Sequence, residues 1–171
     1  MQIITEIDLK ILDLIQRYFT CGFMDTIMPV ITFLGNAGLI WIAAAVICIA
    51  AKKYRKTGIG LACGLAGSGL ICNLILKNLF ARERPFSINE TVTLLINAPQ
   101  DYSFPSGHTT SSFAAAAVIM HNDKRLGTAA YILASLIAFS RLYLYVHYPS
   151  DVLAGVLLGT AIGGGLQLCD R

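Results

Sequence analysis

Charge is scarce in this sequence. Lys, Arg, Asp and Glu make up 13% of its 171 residues, whereas a soluble domain carries about 25%. That deficit, beside 56% hydrophobic residues, disfavours an ordinary soluble protein and points to an integral membrane protein of one domain, residues 1–171. No nucleic-acid partner is expected. The N-terminus lacks a basic start, an apolar stretch and a small-residue cleavage site, so no cleaved signal peptide is expected. Paired cysteines are lacking too. The five (Cys21, Cys48, Cys63, Cys72 and Cys169) are odd in number and form no CxxC, which argues against a disulfide framework or a zinc site. Strict apolar–polar alternation is also absent, which disfavours strands.

Long apolar runs are abundant. They cover residues 35–51, 57–79, 106–121, 126–146 and 151–168, and a spanning helix needs about 17–25 residues. The third run is the shortest for that purpose. The first extends back to Asp25, with Pro29 and the pair Gly35-Asn36 as points of kinking or breakage. Residues 22–51 therefore read either as one bent span or as two helices. The expected fold is an all-α, polytopic transmembrane bundle of five to six spans over residues 25–171. Residues 3–19 precede it as an amphipathic helix, with Ile7, Ile11, Leu14, Ile15 and Tyr18 on one stripe, lying in the membrane interface. Gly60-x3-Gly64 and the series Gly155, Gly159, Gly163 place small residues on helix faces, which lets backbones approach closely in lipid.

Basic residues set the orientation. "KKYRK" at 52–56 and "DKR" at 123–125 flank alternate spans, and Arg171 falls on the same side. The positive-inside rule places that side in the cytoplasm. Segment 80–105 and the turn 147–150 then face outward, on a multi-pass cell-membrane protein.

Three polar clusters gather on that outer side. In "KNLFARERP", Lys77 and Arg84 are seven positions apart, which is one helix face; a helix ending before Pro85 would bring them together by bending. Arg82 competes with Arg84 for that role, and cations at a span end often only reach toward headgroups. In "PSGH", Pro105 suits a first helical position, and Ser106 and Gly107 would then offer free N–H groups at an anion-binding helix N-terminus. His108 stands within reach of whatever those amides hold. In "SRLYLYVHYPSD", Ser140 and Arg141 close the fourth span, while His147 and Asp151 sit at i and i+4, a spacing that sets carboxylate against imidazole. Such a pair fixes a tautomer and raises the basicity of the other ring nitrogen. Two histidines, a carboxylate and several cations around one anion suit phosphoryl transfer through a phosphohistidine. The acids Glu83, Glu90 and Asp101 are scattered, so neither a metal nor another cofactor is expected.

Lys77-x6-Arg84-Pro85, Pro105-Ser106-Gly107-His108 and Ser140-Arg141-x5-His147-x3-Asp151 together resemble the three-part signature of the type 2 phosphatidic acid phosphatase superfamily. The match is complete and in order over residues 77–151. The resemblance implies an all-helical membrane lipid phosphatase working without metal. It implies His147 as nucleophile, His108 as general acid and Asp151 as the orienter of His147. Lys77, Arg84, Arg141, Ser106 and the Gly107 amide would hold the phosphate. Soluble vanadium haloperoxidases resemble the same signature, but five spanning segments argue against that activity. The short chain looks like the compact bacterial members, whose substrates include undecaprenyl diphosphate, phosphatidylglycerophosphate and phosphatidic acid. An outward site suits undecaprenyl diphosphate. A non-catalytic lipid-phosphate binding or transport protein is the alternative from another class. The expected partners are a lipid phosphate and the bilayer, with no obligate protein partner.

Overall fold

A computed structural model of the chain describes residues 2–89 and 91–168; Glu90, Cys169 and Arg171 lie outside them. Among the described residues there is no strand. The elements are α1 (Gln2–Phe19), α2 (Gly22–Leu34), α3 (Leu39–Ala50), α4 (Arg55–Ser68), α5 (Lys77–Phe80), α6 (Pro85–Ile88), α7 (Gly107–Asn122), α8 (Lys124–Tyr143) and α9 (Pro149–Leu168). Among the described residues three stretches are long and apolar enough to cross a membrane: Lys52–Ile88, Lys124–Tyr143 and Pro149–Leu166. A fourth is added if α2 and the run Asn36–Ala50, which meet at 46°, form one broken span. The break falls at Gly35-Asn36-Ala37-Gly38, where Ala37 and Gly38 take left-handed φ values of 50° and 71°. Residues 22–51 are thus two helices. At 16 residues, α7 is about 24 Å long at 1.5 Å per residue, shorter than a hydrocarbon core of about 30 Å.

The glycines of α9 decide how the bundle closes. A Cβ on Gly159 would lie 2.3 Å from the Thr110 carbonyl oxygen, and one on Gly163 would lie 2.4 Å from that of Ala114. Both distances are far inside van der Waals contact, so only glycine lets α9 run this close to α7. Ser106, at the start of α7, is thereby brought beside Asp151 at the start of α9, and its N–H donates to the Asp151 carbonyl at 3.2 Å. A Cβ on Gly64 would make only ordinary contacts; the tight approach of α4 to α3 is at Gly58, where a Cβ would lie 2.6 Å from the Ile49 nitrogen. The four described cysteines are free thiols.

Helix α1 has three faces. Asp8 and Leu12 are buried against the bundle, Leu12 packing with Tyr145 and Tyr148. Gln16 donates to the Tyr143 carbonyl at 2.6 Å, and Asp13 accepts from the Tyr145 hydroxyl at 2.8 Å. The apolar stripe of Ile7, Ile11, Leu14 and Tyr18 is turned away from the bundle and exposed. Leu12 together with polar side chains therefore docks this helix, and of the predicted stripe only Ile15 packs against the bundle.

Between α4 and α5 the helix loosens into a π-helical stretch, Gly69–Leu76. Such stretches are frequent at functional sites. Helix α5 stops at Ala81, which is left-handed at φ 42°, and Arg84 is extended ahead of Pro85 at the first turn of α6. The reversal at Ala81 and the extended Arg84 bring Lys77 and Arg84 to one place.

Candidate active site

A cavity of about 610 Å³ is lined by Lys77, Arg84, His108, Arg141 and His147, together with Asn36 and Asp101. Five of the sequence-selected residues thus share one space. Two do not line it. Ser106 is fully buried and its hydroxyl accepts from Thr109 at 3.0 Å. Its N–H is committed to Asp151, so it is not a free helix-end donor. Pro105 precedes α7 rather than opening it, joined to Phe104 by a cis peptide bond. Gly107 lines a neighbouring cavity of about 380 Å³. The close approach its missing Cβ permits is by Asn73, whose Oδ1 lies 2.9 Å from that position.

His147 is 1% exposed and stands in the five-residue turn from α8 to α9. Backbone bonds from Leu144 to Ser140 and from Val146 to Arg141 fold that turn. The Nε2 atom of His147 lies 3.3 Å from Arg84 Nη1. A guanidinium has no acceptor, so Nε2 carries the lone pair and Nδ1 the proton. Nδ1 faces Asp151 Oδ2 at 3.5 Å, too far to count as a hydrogen bond, and is otherwise unpartnered. Burial, followed by the charges of Arg84, Arg141 and Lys77, pushes the imidazole well below its usual range. His147 is therefore neutral, with its lone pair toward the cavity.

Asp151 is fully buried and multiply held. Oδ2 accepts from the Ser103 hydroxyl at 2.5 Å and from the Tyr148 N–H at 3.0 Å, and Oδ1 accepts from Arg82 Nη1 at 2.6 Å. The same guanidinium donates to Ser150 at 2.7 Å and to Asp8 of α1 at 2.9 Å, and it lies 3.8 Å from the Tyr148 ring centroid. Arg82 thus supports Asp151, whereas Arg84 reaches the cavity. The sequence left those two open; the backbone reversal at Ala81 separates them.

The three cavity cations differ in what they hold. Lys77 pairs with Asp101. Arg84 pairs with Asp101 Oδ1 at 2.6 Å. Arg141 donates to Thr32 Oγ1 at 2.5 Å, while its Nε has no partner. His108 Nε2 lies 2.8 Å from Asn36 Oδ1. Gly35 leaves room for the imidazole, since a Cβ there would sit 2.9 Å from His108 Cδ2. Asn36, Thr32 and Asp101 are the site-forming residues that sequence spacing did not single out, while Arg82, weighed there for the role of Arg84, supports Asp151 instead. The pair Gly35-Asn36 stood out only as a point of breakage. Among the described residues no group of three or more His, Cys, Asp or Glu could hold a metal ion.

Comparison with known proteins identifies the family of this chain. Over 140 residues the chain is 34% identical to an undecaprenyl-diphosphatase of Sulfolobus acidocaldarius, covering 80% of this chain and 68% of that protein. It is 32% identical over 141 residues to the undecaprenyl-diphosphatase BcrC of Bacillus subtilis, covering 82% and 72%. The crystal structure of Aquifex aeolicus LpxE superposes with a TM-score of 0.83 at 26% identity, over 95% of both chains. Residues 57–170 match the model of the PAP2 superfamily, and the chain belongs to that superfamily.

Proposed function

We propose that this protein is a lipid phosphatase that removes the terminal phosphate of undecaprenyl diphosphate through a phosphohistidine on His147. The convergence of His147, His108, Lys77, Arg84 and Arg141 on one cavity carries this reading. The substrate follows from the two undecaprenyl-diphosphatases among its relatives.

The reaction starts from a neutral His147. Its Nε2 lone pair attacks the terminal phosphorus in line with the bridging oxygen. As the N–P bond forms and the P–O bond breaks, His108 gives a proton to the departing lipid phosphate oxygen. Asp151 compensates the positive charge that develops on the imidazole. Lys77, Arg84 and Arg141 balance the charge spread over the equatorial oxygens, which is where catalysis of phosphoryl transfer mostly lies. In the second half His108 takes a proton from water, the water oxygen attacks phosphorus, and the N–P bond breaks to free phosphate. No step needs a metal: three cations occupy the place a metal would take, and the described acids do not cluster.

The cavity opens at the outer face of a multi-pass bundle of five to six spans, with "KKYRK" and "DKR" in the cytoplasm. Helix α1 lies in the outer interface. Its exposed isoleucines meet lipid, and Glu6, Lys10, Asp13 and Arg17 meet water. The whole chain works as one phosphatase unit.

The test is phosphate release by the purified protein from undecaprenyl diphosphate, phosphatidylglycerophosphate and phosphatidic acid, with EDTA present. Release from the diphosphate, lost in His147→Ala, is expected. Equal release by His147→Ala, or activity that requires added Mg²⁺, refutes the mechanism. Preference for either monoester refutes the substrate assignment.

A further inference from the structure

Asp101 lies on the irregular segment between α6 and α7, where no sequence motif marks it. Its side chain is 55% exposed, yet its carboxylate joins the two deeply buried cations of the cavity, Lys77 at 7% and Arg84 at 4%. The donors of Arg84 can be followed one by one. Nε donates to the Asp101 carbonyl at 2.8 Å. Nη1 donates to the Val146 carbonyl at 2.6 Å and to His147 Nε2 at 3.3 Å. Nη2 donates to Asp101 Oδ1 at 2.6 Å and to the Tyr102 carbonyl at 3.4 Å. A guanidinium has five N–H groups, so none remains for a ligand. Arg141, by contrast, has a buried Nε without a partner and forms no ion pair among the described residues.

We propose that Asp101 is a built-in competitor for phosphate: its carboxylate occupies the Lys77–Arg84 half of the cradle in the empty enzyme, and the phosphoryl group of the substrate must displace it. This rests on reading the cavity as a phosphate site. A carboxylate and a phosphate cannot share two cations, because like charges a few ångströms apart repel strongly in a water-poor site. The exchange substitutes one anion for another, so Lys77 and Arg84 are never buried without a counter-charge, the arrangement that costs most. Partial burial alone would raise the pKa of the Asp101 carboxyl. The hydrogen bond and charge of Lys77, followed by Arg84, outweigh that and hold it down to about 2. Asp101 therefore stays charged at physiological pH.

Selectivity follows. Free phosphate must displace Asp101 using contacts to phosphate alone, whereas a lipid substrate adds the binding energy of its tail. Asp101 thus weakens the hold on the inorganic product and on phosphate in the surroundings, and speeds product departure. The same displacement releases the Arg84 Nη2 donor to the substrate.

The test uses the full-length protein in detergent, with inorganic phosphate and vanadate as inhibitors of lipid-phosphate hydrolysis. Asp101→Asn keeps the size and one acceptor but loses the charge. If the empty site is about 90% closed by Asp101, both inhibition constants should fall roughly tenfold. Asp101→Glu, which restores a carboxylate on a flexible segment, should return them toward the native values. Unchanged or raised constants in Asp101→Asn, or no difference between the Asn and Glu variants, overturn the proposal and make Asp101 a structural latch. If the Asn variant does not fold, Asp101→Ser takes the same measurement with the same expected fall. A native enzyme that neither phosphate nor vanadate inhibits would instead refute the phosphate site itself.

Discussion

Replacing Arg82 should slow turnover without weakening substrate binding. Arg82 does not line the cavity, but among the described residues it alone supplies a partner to Asp151 Oδ1 and ties that carboxylate to Asp8 of α1. Removing one partner of a buried charge pair costs about 3–5 kcal/mol. The Arg82 side chain is 17% exposed while that of Asp151 is fully buried, so Arg82→Ala should fall at the low end, at about 3 kcal/mol of stability. Asp151 keeps its Ser103 and Tyr148 donors, both on Oδ2, and would turn toward them rather than leave the site. A misplacement of the order of 1 Å costs up to about 10²-fold in rate, so kcat should drop by about ten- to a hundredfold with KM within about twofold of native. Arg82→Lys keeps the charge but not the fork that bridges two carboxylates, and should lie between. Asp8→Asn should show a smaller loss, non-additive with Arg82→Ala, because Asp8 reaches Asp151 only through Arg82 and Ser150. Steady-state kinetics and thermal unfolding in one detergent measure both quantities. A native kcat in Arg82→Ala, or a loss confined to KM, would refute the reasoning.

Two further outcomes are expected. Asn36→Ala should lower kcat by about tenfold, a part of the 10²–10⁴ that general acid catalysis contributes, because His108 loses the Oδ1 that holds its Nε2 at 2.8 Å; a loss as large for a phenyl phosphate, whose leaving group needs little protonation, as for an alkyl phosphate would sink the idea. Gly159→Leu should cost at least about 1–3 kcal/mol through overpacking, since its first carbon already collides with the Thr110 carbonyl; thermal unfolding no lower than native would contradict the α7–α9 contact.

The helices were legible wherever hydrophobicity alone determines them. The run 126–146 became α8 at Lys124–Tyr143, and 151–168 became α9 at Pro149–Leu168, with edges shifted by a few residues toward capping chemistry. Asp123 accepts from the amides of Arg125 and Leu126 and so starts α8 earlier than its apolar content suggests. The π-helical stretch Gly69–Leu76 carries the same residue types as the α-helix around it, so composition could not mark it. For α1 the apolar stripe was legible but not which face docks. A stripe of isoleucines reads as the buried face in water, and here Asp8, Leu12 and Gln16 supply contacts with the bundle.

The site was legible to the extent that its chemistry repeats at short spacing. His147 and Asp151 are four residues apart and meet through one turn of chain; Lys77 and Arg84 are seven apart and meet through one reversed residue at Ala81. Local geometry restricts such pairs to few arrangements. The residues that spacing missed or left open act over long separations with ordinary side chains. Asn36 meets His108 across 72 positions, Thr32 meets Arg141 across 109, and Arg82 meets Asp8 across 74. Asp101 is the instructive case. Read as one of three scattered acids, it argued against a metal site, and that inference used only the distances between acids. Its distance from the cations was invisible, because the chain between α6 and α7 carries no periodicity from which a fold can be read. What places Asp101 is the charge already in the cavity. Two buried cations separated from water need an anion, and the acid on the adjoining irregular segment is free to supply one.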